Sequence, residues 1–290
     1  MQFIKKYRIR LLNILNKFII FNNFSISYFF SRFGNNLQQI AIGIIYSGSK
    51  NGNFYLKKFP YIRDFSLINN KFHDYFSLFK KSFRFFYFHE NPDFPTKKSF
   101  EKIVYKNIEN VFKKEISPRL EFLEDLQISD DTLVIHIRSG DIFELPISSY
   151  YQNPINYYLQ IIDTYSDILI VTSEELNNPV CNELLKINKV RIQSSTMEND
   201  FNTLSSAKNL ATSGVGTFPI AAALISKNLK NFYYTNLFST EHLNPAMIVN
   251  KQVVHHRYLI DKSFKKTYKN TLDFENLLLD KSIEIKKELK

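Results

Sequence analysis

From Leu133 onward, apolar runs and amphipathic stretches alternate at a regular pitch. The runs Leu133 to Ile137, Ile168 to Thr172, Val190 to Gln193, Asn209 to Thr212 and Phe232 to Thr235 are short and mostly apolar, and they read as buried strands. Between them, Ile155 to Tyr165, Pro179 to Ile187, Phe201 to Lys208 and Pro219 to Ile225 carry apolar residues at helical spacing. Strands alternating with helices of this length predict an α/β fold built on a parallel, doubly wound sheet.

The first half is less regular. Phe24 to Phe30 reads as an aromatic strand, Ser31 to Asn36 as a turn, and Leu37, Ile40, Ala41, Ile44 and Ile45 as one face of a helix. That strand-loop-helix unit opens a second Rossmann-like domain. From Gly48 to about Pro95 many Phe and Tyr occur without a clear period, and no strand is assigned. Phe100 to Leu126 reads as a helix interrupted at Pro118. The polar stretch Glu121 to Asp131 is the best boundary. It divides the chain into 1–125, 126–255 and a helical carboxy-terminal segment, 256–290.

Residues 1–34 carry six Lys/Arg, from Lys5 to Arg32, and no acid. Residues 1–21 therefore read as a basic amphipathic helix, suited to an anionic membrane surface or to packing on the chain's own domain. The charges run too deep for a signal peptide, and no apolar run is long enough to span a bilayer. One cysteine among 290 residues supports neither an internal disulfide nor a paired thiolate site, and a cytoplasmic setting is expected. The net charge of +10 raises nucleic acid as a partner. No nucleic-acid motif accompanies it, however, and Lys, Asn, Ile and Phe share A/T-rich codons.

Three constellations suggest chemistry. The run ending in His136-Ile137-Arg138-Ser139-Gly140-Asp141 puts a permanently charged guanidinium, suited to phosphate, at the carboxyl end of a buried strand. Ser213-Gly214-Val215-Gly216-Thr217-Phe218-Pro219 runs into an apolar helix, so free amides and hydroxyls face an anion at its positive end. Pro219 replaces the third glycine of a dinucleotide fingerprint, and no P-loop lysine is present. Asp200 opens the preceding helix, where an N-cap role is the commonest one. His255-His256 lacks partners at metal spacing, and no Asp-x-Asp pair occurs, so no metal site is expected.

His136 to Asp141 resembles the His-x-Arg-x-Gly-Asp signature of the fucosyltransferase superfamily, which includes bacterial α-1,2- and α-1,6-fucosyltransferases and protein O-fucosyltransferases. Arg32 to Gln39 is similar to that superfamily's amino-terminal Gly-Asn-Asn/Gln loop, and Asp200 through Phe218 to its third block. The resemblance implies a GT-B-like pair of Rossmann-like domains facing a cleft, with the acceptor on 1–125 and a GDP-sugar on 126–255, and no metal or other cofactor. Arg138 would hold the β-phosphate and stabilise the leaving diphosphate. His136, Gly140, Asp141, Asp200, Ser213 and Gly216 would build the donor site. Thr217 and Phe218 would contact the phosphates, with Asn35 near the reacting centre. Ser139 stands where these enzymes often carry a second arginine, which leaves the donor open between GDP-fucose and another nucleotide sugar. For a general base the sequence offers Glu90, Asp93 and Glu144.

The expectation is a glycosyltransferase of bacterial surface polysaccharide or lipooligosaccharide synthesis. It would act on a glycan or lipid-linked oligosaccharide at the cytoplasmic face of the membrane. A basic nucleic-acid-binding protein and an inactive sugar-nucleotide binder are the alternatives.

Overall fold

The computed structural model describes residues 23–26, 29, 32–71, 81–83, 97–144, 150–270 and 273–288. The basic segment 1–21, Glu90 and Asp93 lie outside them. The amino-terminal part forms a four-stranded sheet of β1 (Asn23–Ile26), β2 (Asn53–Leu56), β3 (Phe65–Leu67) and β4 (Lys81–Phe83), in the order β3-β2-β1-β4. Both neighbours of β1 run parallel to it, and β3 is antiparallel. Three of these strands fall in the stretch where sequence periodicity assigns none. They are only three or four residues long and include Asn, Ser and Lys, so no alternation develops.

The carboxy-terminal sheet has seven strands: β5 (Thr132–His136), β6 (Asp167–Val171), β7 (Val190–Gln193), β8 (Asn209–Ala211), β9 (Asn231–Thr235), β10 (Val254–Ile260) and β11 (Ile285–Lys287). Their order is β11-β10-β9-β8-β5-β6-β7, parallel except for β11. Counted from β5, the six parallel strands follow the Rossmann order 3-2-1-4-5-6, which reverses direction between β5 and β8. β5 is buried along its whole length, as a Thr-Leu-Val-Ile-His run between two parallel neighbours requires. The segment 256–290 needs correction. It contains two helices but opens within β10 and ends in β11. Polar His, Arg and Lys side chains hide both strands from an apolar-run reading.

The helices are α1 (Phe33–Ser49), α2 (Lys97–Val111), α3 (Asp141–Glu144), α4 (Ile155–Ile162), α5 (Pro179–Leu184), α6 (Met197–Ser206), α7 (Thr217–Ile225), α8 (Lys262–Asn270) and α9 (Phe274–Leu279). α2 passes into a π turn, Phe112–Ile116, and a 3₁₀ turn, Ser117–Arg119. Regular helix therefore stops ahead of Pro118, which has no N–H to donate backward. Among the described residues, no helix is long and apolar enough to cross a membrane.

Two faces of the seven-stranded sheet feed two cores. Leu133, Ile135, Ile168 and Ile170 point toward α4, α5, α8 and α9. Val134, Leu169 and Leu210 point the other way, into a core shared with α6, α7, α1, α2 and the four-stranded sheet. That second core is continuous across both sheets, with α1 packed on α7. A buried bond reinforces it, since Gln38 Oε1 accepts the Leu243 N–H at 2.8 Å. Ile40, fully buried on α1, sits in this shared core. Ile40→Ala should cost about 2–5 kcal/mol, read as a shift of one cooperative urea transition. Two separate transitions, only one of them shifted, would show that the halves fold independently.

Candidate functional site

The turn after β5 is fixed by two asparagines. Asn178 Nδ2 donates to Arg138 O at 2.8 Å, while its Oδ1 caps α5 by accepting the Val180 N–H. Asn177 bonds Gly140 on both sides, accepting its N–H at 2.7 Å and donating to its O at 3.2 Å. Gly140 has φ of +80°, where a Cβ would be strained and would also meet the Glu175 carboxylate at 3.1 Å. The turn is thus held rigid while the Arg138 side chain projects from it. Arg138 lies over the Tyr150 ring, 4.7 Å from its centre, and Nη2 reaches Asp141 Oδ1 at 3.2 Å. Its Nε is buried with no hydrogen-bond partner.

The second wall comes from β8. Its chain turns at Gly214 (φ +107°) and Gly216 (φ +126°) into α7. A Cβ on Gly214 would strike Tyr151 O at 2.8 Å. Gly216 is the N-cap and has no side chain to bond the first amides of α7, and no acidic residue lies in the first turn. The third wall is the start of α1, also without a side-chain cap bond or an acidic first turn. The two helix starts meet. Thr217 Oγ1 donates to Asn35 Oδ1 at 2.6 Å, and a Cβ on Gly34 would come within 2.7 Å of Phe218 N. Two positive helix ends and a guanidinium therefore face one space, an arrangement that attracts an anion.

That space is a cleft of about 920 Å³ at the carboxyl ends of the strands, where the strand order reverses. Asn35, His136, Arg138, Asp141, Asp200, Gly216, Thr217 and Phe218 all line it, although they come from widely separated parts of the chain. Gly140 and Ser213 stand behind it. Gly140 shapes the turn, and Ser213, wholly buried, lies 3.4 Å from His136 Nδ1. Glu144 closes α3, and its side chain falls outside the described residues. Asp200 is not the N-cap of its helix. Thr196 takes that role, accepting the Asn199 N–H, and Asp200 lies within α6, where its Oδ1 accepts from Gln193 Nε2 at 2.9 Å. Burial raises the Asp200 pKa from its ordinary value, against the hydrogen bond from Gln193, which lowers it.

Several contacts in the cleft carry no signal in the sequence. Arg32 Nη2 reaches Asp141 Oδ2 at 3.1 Å, so one carboxylate holds two guanidiniums. Ser139 lines the cleft and shares a 2.9 Å hydrogen bond with Thr172, while Arg32 brings a second guanidinium to the same space. Glu174 and Glu175 follow β6, and Glu241 and His242 follow β9. Phe33 packs edge-on against Phe201, Phe122 and Tyr61 beneath the helix junction.

The chain was compared with protein-family models, curated proteins and solved structures. It matches none of them.

Burial, with help from Arg138, pushes the His136 pKa down to about 3 from 6.5, so the ring is neutral at pH 7. The unfolded chain takes up this proton near pH 6.5 and the folded one only near 3. Stability should therefore fall as pH drops between those values, with a slope approaching about 1.4 kcal/mol per pH unit from this group. Urea unfolding of the wild type and His136→Gln at pH 7 and pH 4.5 isolates the effect: the variant should lose less stability on acidification.

Alanine at Gly34 raises helix propensity by about 1 kcal/mol but must push α1 away from the backbone of Phe218. We expect a net loss of about 1–3 kcal/mol for Gly34→Ala, as for other overpacked sites, in thermal or urea unfolding.

Proposed function

We propose that this chain is a glycosyltransferase that moves a sugar, fucose first among them, from a GDP-sugar to a glycan or lipid-linked oligosaccharide acceptor. The setting is bacterial surface polysaccharide or lipooligosaccharide synthesis at the cytoplasmic face of the membrane, with residues 1–21 as a peripheral contact. One observation carries the reading: Arg138 and the uncapped starts of α1 and α7 converge on a single cleft at the strand-order reversal. A nucleoside diphosphate fits that arrangement. The diphosphate takes the guanidinium and helix amides, and its charge grows as the glycosidic bond breaks, which is when fixed donors stabilise it most.

In this reading the seven-stranded sheet is the donor half and the four-stranded sheet the acceptor half of a GT-B-like molecule. No metal is invoked, because Arg138 and the helix ends already meet the diphosphate charge. Asp141 holds Arg138 and Arg32 in place until phosphate oxygens compete for them. Neutral His136 offers a hydrogen bond without adding charge, and Asn35, bonded to Thr217, stands at the junction of donor and acceptor sides.

The test is a thermal-shift panel followed by turnover. GDP at a hundred times its Kd should stabilise the fold by about 2.7 kcal/mol, with UDP and CMP well behind. With GDP-fucose, Arg138→Ala should lower kcat by about 10²–10³, and Arg138→Lys should recover part of that, since it keeps the charge and loses the fork. Near-normal turnover in Arg138→Ala would remove it from the mechanism. Salt-sensitive binding of duplex DNA with no nucleotide stabilisation would move the assignment to a basic nucleic-acid-binding protein.

A further inference from the structure

Among the described residues that line the cleft, the basic side chains other than histidine are Arg32 and Arg138. They come from opposite sides of the border near residue 125, and one carboxylate takes both. Arg32 Nη2 lies 3.1 Å from Asp141 Oδ2, and Arg138 Nη2 lies 3.4 Å from that same oxygen and 3.2 Å from Oδ1. Two guanidiniums within reach of one oxygen mark out a position for an oxyanion, and the Asp141 carboxylate fills it from within the chain.

The backbones that carry the two arginines are fixed relative to one another. Arg32 is the N-cap of α1, and its carbonyl accepts the Asn36 N–H at 3.1 Å. The start of α1 is held against α7 by the close approach at Gly34 and by the Asn35–Thr217 bond, and Arg138 stands on the turn clamped by Asn177 and Asn178. The side-chain pairing is, by contrast, easily exchanged. Arg32 and Asp141 are 58% and 46% exposed, and an ion pair so open to water contributes little to folding. We propose that Arg32 is a phosphate-binding residue: an oxygen of the diphosphate replaces Asp141 between the two guanidiniums, and Arg32 and Arg138 hold the terminal phosphate together. The inference rests on the glycosyltransferase reading above and changes it in one respect, since the donor is then gripped from both halves of the molecule and not by the seven-stranded half alone. Both guanidiniums face the phosphate on which negative charge grows as the sugar departs.

The experiment measures Kd for GDP and GMP by calorimetry in wild type, Arg32→Ala, Arg32→Lys, Asp141→Asn and the double variant Arg32→Ala with Asp141→Asn, with urea unfolding to show that each is folded. Arg32→Ala should weaken GDP at least about tenfold and GMP less than about threefold, because GMP lacks the terminal phosphate, and Arg32→Lys should recover part of the loss by keeping the charge. The Asp141→Asn background separates a direct contact from an indirect one, since it leaves no ion pair for Arg32 to act through. There too, Arg32→Ala should weaken GDP at least about tenfold. An effect that vanishes in that background makes Arg32 a partner of Asp141 alone and overturns the proposal. So does a GDP affinity of Arg32→Ala within about threefold of wild type, or an equal loss for GMP. A wild type that binds neither nucleotide instead defeats the reading of the whole site, so the two failures are separable.

Discussion

The starts of α1 and α7 touch with no side chain between the Gly34 α-carbon and the Phe218 backbone, and Asn35 and Thr217 close the junction with a 2.6 Å hydrogen bond. Two helices meeting at their positive ends repel one another, each end acting as about half a unit charge. Neither helix brings an acid in its first turn to relieve this, and Arg138 adds a full charge nearby. Packing beneath the junction holds the arrangement together. Phe33, Phe201 and Phe218 interlock there, and the shared core continues behind them. The cost of gathering positive ends is set against apolar burial, and the junction's demand for negative charge falls to the carboxylates that line the cleft.

Asp141 meets part of that demand from within the chain, bridging Arg32 and Arg138. Its side chain is about half exposed, so water screens the pairs and each contributes little to folding. Their consequence is orientation. The Arg138 guanidinium is fixed by Asp141 at one edge and by Tyr150 across its face, with Asn177 and Asn178 clamping the turn below it. A pre-set fork of this kind would give up little freedom on meeting an anion. His136, kept neutral by burial, adds no further repulsion to the site.

The central strand β5 and the alternation after it are legible in the sequence because buried parallel strands read as plain apolar runs. The turns at Gly140, Gly214 and Gly216 are legible for a related reason, since in a chain with seven glycines a clustered one suggests a tight turn, whereas the turn expected over Ser31 to Asn36 is helix from Phe33 onward. The short strands β2, β3 and β4 are too brief and too polar to show a period, and β10 carries His-His-Arg where an apolar run is expected. The Arg32–Asp141 pair and the Gln38–Leu243 bond leave no local trace, since each joins residues far apart along the chain. Asn35 and Thr217 are 182 residues apart, and Gln38 and Leu243 are 205 apart. The capping role of Thr196 was readable in principle, because a threonine immediately before Met-Glu-Asn-Asp is a better start signal than the Asp200 inside it.

The core that runs unbroken from the four-stranded sheet through α1 to α7 bears on how such a chain can be recombined. A border near residue 125 divides the chain in sequence but not in packing: the core on one face of the seven-stranded sheet is wholly carboxy-terminal, whereas the core on the other face is shared across the border. A chimera that borrowed only the carboxy-terminal part from another protein would bring a helix start with no matching glycine to receive it, and a Leu243 N–H with no Gln38 behind it. Changes to the cleft are therefore better made one residue at a time along its walls than by exchanging halves.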